Sequence, residues 1–330
     1  MTLLRAIPFS LNVLWRLVLV FPFMILAIII FGFIAAIFIF ITALISPLIA
    51  VIIAASFGVA ASVLPVIVGS RLGLQAKQSS VRNSYFGLML PAVGYGLFEA
   101  FCILLIVAIS AGVYFMATPM TFADLMQFTT LDETVLLEQL MSVSPAITLS
   151  LLWVGGVLII ALRAALLMPF AGASIGMDPG GRAHTPFYGF GSEFISLLIL
   201  TAISYILSAF TVPIAVAICL LLGFGDSMMT ALATLEANPS IDAVTLLGTE
   251  TWVFLGLCLL IYCWVFSLQS AGGVLAYMNQ AEEVADQQNA FDMSMDAHLE
   301  TMSSTQPPER PMQSEDVMEL IRSRMQKNNR

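Results

Sequence analysis

LVLVFPFMILAIIIFGFIAAIFIFITALISPLIAVIIAASFGVAASVLPVIVGS, residues 17–70, contains no Asp, Glu, Lys, Arg, His, Asn or Gln. Water cannot be the main solvent of 54 such residues. A membrane hydrocarbon core about 30 Å thick is crossed by roughly 20 apolar residues in a helix. As one helix the run would extend roughly 80 Å at about 1.5 Å per residue, so it crosses more than once. Ser46-Pro47 marks the break. The two halves then form an antiparallel hairpin with a very short turn.

Four more apolar segments follow. The six spans are about 17–43, 46–69, 94–117, 147–169, 194–222 and 251–277. Backbone N–H and C=O groups in lipid have no water to bond, so each segment is a helix. The fold class is an all-α, polytopic integral membrane bundle of about six transmembrane helices, with the lipid bilayer as its solvent. Composition agrees. Of 330 residues, 59% are hydrophobic and 10% charged, where a soluble domain carries about 25% charged residues. Arg5 and Arg16 give the start a basic flank. The apolar run outlasts the roughly 7–15 residues of a signal-peptide core, so it reads as an uncleaved first span. Cys102, Cys219, Cys258 and Cys263 all lie in apolar segments and read as packing residues.

Orientation follows from Lys and Arg. Arg5 and Arg16 precede the first span, Arg71, Lys77 and Arg82 follow the second, and Arg182 lies between the fourth and fifth. Loops 118–146 and 223–250 hold no Lys or Arg but carry Asp124, Asp132, Glu133, Glu138, Asp226, Glu236, Asp242 and Glu250. With six spans, the basic loops share one face and the acidic loops the other. The expectation is a cytoplasmic (inner) membrane protein with both termini cytoplasmic and acidic periplasmic loops.

Both outer loops carry helix signals. Thr121-Phe-Ala-Asp124 and Thr130-Leu-Asp-Glu133 read as capping boxes, and Leu136, Leu137, Leu140 and Met141 follow at helical spacing. The second loop is expected to hold short helices after Ser227 and Ser240. Tyr95-Gly96 precedes Glu99 much as Tyr188-Gly189 precedes Glu193, a short echo with unequal downstream spacing.

Residues 278–330 form a polar cytoplasmic tail, largely flexible. Val284, Phe291, Met295 and Leu299 form a stripe if the sixth helix continues into it, and Thr301–Pro311 reads as linker. A candidate helix spans 314–327. Ser314 caps it, acids open it, and Arg322, Arg324 and Lys327 close it, in the order that suits a helix dipole. Val317, Leu320, Ile321 and Met325 make its apolar stripe, the expected docking face for a protein partner.

Few residues offer chemistry. Glu99 and Arg163 are the charged residues inside spans three to six. A charge at mid-bilayer costs about 2.5–3.5 kcal/mol on insertion scales. Three readings stand: an interfacial acid with a snorkelling Arg, a structural Glu99–Arg163 pair, or a substrate or proton site. Arg182, in the glycine-rich segment 170–193, is a candidate head-group contact, although the segment reads more simply as a flexible loop with a solvated His184. Ala54, Gly58 and Ser62 form a small-residue run that lets another helix approach closely. Gly155-Gly156 and Gly272-Gly273 offer the same or mark bends. Met293, Met295, Asp292, Asp296 and His298 lie close in sequence, but methionine is common here and no metal site is expected.

The expected function is a non-enzymatic scaffold or accessory component acting through its tail and outer loops. The alternative is a permease for a small solute using Glu99 and Arg163. A membrane enzyme is the third class. It would need a convergent acid, base or metal set, and two histidines with no paired intramembrane carboxylates do not supply one. No cofactor and no nucleic-acid partner are expected.

Overall fold

The structure, a computed structural model, describes residues 2–79, 84–119, 133–224 and 248–305. Helices account for nearly all of them. They are α1 (Thr2–Ile45), α2 (Pro47–Ala76), α3 (Met89–Ala117, entered by a 3-10 turn at Phe86–Leu88), α4 (Glu133–Val143), α5 (Pro145–Ile175), α6 (Phe194–Ala209), α7 (Thr211–Leu221) and α8 (Thr249–Thr305). Five are long and apolar enough to cross a membrane, and six if the bent pair α6–α7 counts as one span.

Proline and serine set the starts. Ser46 and Ser144 are extended residues, and Pro47 and Pro145 follow them as first helical residues. Proline suits that position because its missing N–H would have no intrahelical partner there. The Ser46-Pro47 break therefore separates α1 from α2, and the two pack as a hairpin.

The fifth span departs from expectation. Segment 194–222 is not one straight helix: α6 and α7 meet at Phe210 with a bend of 55°. Pro213 supplies the reason. It has no N–H for the carbonyl of Ala209, and its ring crowds that carbonyl. Thr211 Oγ1 bonds Leu207 O across the break at 3.2 Å.

Burial is distributed as lipid demands. Phe23, Phe33 and Leu44 of α1 lie about three-quarters exposed, at 75%, 70% and 75%, while Glu99, Arg163, Gln269, Thr201 and Ser204 are buried. A water-facing apolar surface of that extent would be an association hazard. In lipid it costs nothing, and helices associate through close packing and interhelical hydrogen bonds. The apolar core contains Leu17 of α1, Val63 and Ile67 of α2, Leu166 and Phe170 of α5, and Val274 of α8.

The close approaches fall elsewhere than the small-residue run implies. A Cβ built on Gly58 meets nothing within 4 Å, so Gly58 is not at a helix contact. Ala60, two residues on and on another face of α2, is. A Cβ on Gly96 of α3 would lie 2.3 Å from the Ala60 Cα, so α2 and α3 touch backbone to backbone. Gly273 of α8 does the same against Leu167 O of α5, at 2.4 Å for a built Cβ, whereas Gly156 is open.

The echo between Tyr95–Glu99 and Tyr188–Glu193 does not extend to conformation. The first lies inside α3, while the second is a run of turns that ends at Glu193 with φ +49°. The chain divides into two units, Met1–Gln280 and Ala281–Arg330. In the second, the helix runs on to Thr305, beyond the start of the expected linker. The first capping box, residues 130–132 of the second, the short helices of the second loop and the candidate helix 314–327 lie outside the described residues, as do Val317, Leu320, Ile321 and Met325.

Candidate functional site

Glu99 sits ten residues past Met89, roughly 15 Å into α3 at about 1.5 Å per residue. Arg163 lies twelve residues before Ile175 at the end of α5. Each is 2% exposed. A snorkelling Arg and an interfacial acid would both keep their charges in water, so that reading fails for this geometry. Arg163 Nη1 donates to Glu99 Oε2. Nη2 donates to Ser62 O of α2 at 3.0 Å, and Nε to Gln269 Oε1 of α8 at 3.2 Å. Gln269 Nε2 in turn donates to Ser204 Oγ of α6 at 2.9 Å, and Ser204 Oγ donates to Thr201 O at 2.8 Å.

The network thus draws on α2, α3, α5, α6 and α8. A guanidinium suits this place because its planar fork offers donors in several fixed directions. All three of its nitrogens have acceptors. The Phe170 ring, about two turns of α5 nearer its end, lies 5.3 Å from the guanidinium carbon. Of the small-residue run, Ser62 takes part through its carbonyl alone, since its hydroxyl returns to Val59 O at 2.7 Å.

A second cluster caps this end of the bundle. Pro169 has no N–H for the Ala165 carbonyl, and Gly191 N–H takes that carbonyl instead at 3.3 Å. A buried carbonyl must find a donor, so the proline in α5 creates the docking point for the loop that follows. Gly176 ends α5 in the left-handed region at φ +74°, with its N–H on Gly172 O. Asp178 then organises the turn: its carboxylate accepts from Thr185 N at 3.1 Å and Thr185 Oγ1 at 2.7 Å. His184 Nδ1 lies 3.0 Å from Asp178 Oδ1, and Nε2 lies 2.8 Å from Tyr95 Oη. With Nδ1 carrying the proton toward Asp178, Nε2 accepts from the Tyr95 hydroxyl, an assignment made from the partners. Gly172 makes room: a Cβ there would come within 2.9 Å of the imidazole.

The segment is therefore an ordered cap rather than a flexible loop, and His184 is partly buried with two partners rather than solvated. Tyr277 of α8 holds it by donating to Met177 O at 3.1 Å, and Asn279 donates to Glu193 Oε1 at 2.6 Å. Phe187, at φ +66°, accepts a conformation costly for a bulky residue. Its ring packs on Phe98 at 4.7 Å and on Tyr95 at 5.9 Å. Arg182 is exposed, and its carbonyl accepts from Asp178 N at 2.9 Å. The Asp178 carboxylate takes the Thr185 N–H and hydroxyl for itself.

Sequence reasoning missed Gln269, Ser204, Tyr95 and Asp178. Gln269 had a signal, as the single amide within 251–277. The Tyr95–His184 contact had none, because it joins residues 89 apart. No family model matches this chain, and no curated protein or solved structure shows significant similarity to it.

Proposed function

We propose that the chain is a non-enzymatic, multi-pass scaffold of a cytoplasmic (inner) membrane, with both termini in the cytoplasm and a tail that docks a protein partner. The observation that carries this reading is the use of the Arg163 guanidinium. Glu99, Ser62 O and Gln269 occupy its nitrogens, and the acceptors come from three other helices. A solute site would have to break these contacts to admit its ligand, and breaking a buried pair on one side costs about 3–5 kcal/mol. A fixed pin across five helices serves a frame that holds other components. The positive-inside distribution of Lys and Arg supports the orientation.

A permease is the second reading, favoured by the 55° break at Phe210. Broken helices near a polar site are common in transporters, and Ser204 of the network lies on the broken span. One purification separates the two. The full chain is isolated in mild detergent beside a chain lacking 303–330 and the double variant Leu320→Asp, Ile321→Asp. A defined partner protein lost in both altered forms supports the scaffold. A stoichiometric small solute retained in all three contradicts it and supports the permease.

A further inference from the structure

Arg71 stands apart from the network. It is buried at 7% exposure, yet its Nε and Nη1 meet no hydrogen-bond partner among the described residues. Its guanidinium lies 3.8 Å over the Tyr85 ring, which leaves the donor edge unused. A buried charge without a counterion is strongly unfavourable, and a guanidinium in that state favours an anionic ligand.

An apolar groove of about 600 Å³ begins beside it, walled by α1, α2 and the entry to α3. Tyr85 is a wall of the groove, and so are Val68 and Leu64, three and seven residues before Arg71 on α2. Residues at that spacing share a helix face, and side chains lean toward the helix N-terminus. Arg71 thus lies one turn beyond Val68 and stacks on Tyr85, both of them walls of the groove. Along α1 the groove runs from Val20 to Ile30, about 15 Å at about 1.5 Å per residue. That is half a hydrocarbon core about 30 Å thick, the depth of one leaflet.

We propose that this groove binds one anionic glycerophospholipid, with its phosphodiester on Arg71 and an acyl chain along Val20–Ile30. A guanidinium and a phosphate match in geometry as well as charge. A zwitterionic lipid carries its own ammonium beside the phosphate and neutralises Arg71 less well. The lipid would fill the space between α1 and α3 and tie the two together.

Native mass spectrometry of the full chain in mild detergent tests this, with phosphatidylglycerol and phosphatidylcholine added in equal amounts. The expected result is one retained phosphatidylglycerol, preferred by roughly tenfold, the ratio that about 1.4 kcal/mol gives. Arg71→Gln should lose that preference, Arg71→Lys should keep part of it, and Ala27→Phe should block the acyl chain while leaving Arg71 intact. Should Arg71→Gln fail to fold, the wild-type preference and Ala27→Phe decide. Equal retention of both lipids by the wild type, no retained lipid, or unchanged retention in Ala27→Phe overturns the proposal.

Discussion

Glu99 of α3 and Arg163 of α5, 64 residues apart, meet in a buried salt bridge inside the bundle. Neither helix could carry its charge alone. A lone charge in hydrocarbon costs about 2.5–3.5 kcal/mol on insertion scales, and pairing offsets that cost for both. The contact therefore fixes the register of α3 against α5, and the side contacts to Ser62 O and Gln269 extend the constraint to α2 and α8.

Gln269 is the amide that links the pair to α6. Gln269→Leu removes an acceptor from Arg163 Nε and a donor from Ser204. Leaving a buried partner unsatisfied costs about 1–3 kcal/mol, so the detergent melting temperature should fall. Gln269→Glu should restore an acceptor for Arg163 but not a donor for Ser204, and should fall between.

The glycine contacts make a sharp contrast. Gly96→Leu must force α2 and α3 apart at Ala60, and overpacking of this kind costs about 1–3 kcal/mol or more. Gly58→Leu enters open space and should change stability by under about 0.5 kcal/mol. Thermal unfolding of the two variants measures the difference. Equal effects would show that α2 meets α3 on another face.

The cap depends on a carbonyl that Pro169 leaves free. Pro169→Ala returns an N–H to Ala165 O and should release Gly191, read as faster amide exchange there. His184→Ala removes the link between Asp178 and Tyr95 and should speed exchange across 177–185. Unchanged exchange in both variants would mean that other contacts order the cap.

Membrane orientation is open to labelling. In a background without native cysteines, Phe128→Cys and Asn238→Cys should react with an impermeant thiol reagent outside intact cells. Gln78→Cys and Ala183→Cys should not. Labelling at 78 or 183 contradicts the arrangement with both termini inside.

The spans were legible because hydrocarbon imposes one rule on every residue it contacts. The helix boundaries at Pro47 and Pro145 follow from the same local chemistry. The bend at Phe210 had its cause in view, at Pro213, yet the continuous apolar run from 194 to 222 masks it. Gly58 and Gly96 are equally small, and composition does not say which faces a neighbour. Glu99 and Arg163 were visible as charges in apolar runs, while their pairing depended on how two distant helices pack. The Tyr95–His184 contact was hidden for the same reason, since it exists only once the cap meets α3.

A double-mutant cycle on Glu99 and Arg163, read as melting temperature in detergent, tests the structural pin most directly. Glu99→Gln and Arg163→Gln each leave the other charge buried and unpaired, and each should be strongly destabilising. The double variant removes both charges and should lose less than the sum, with a coupling of about 1–3 kcal/mol. Additive effects of the two changes would contradict the account, because they would mean that the two side chains do not stabilise one another inside the bundle.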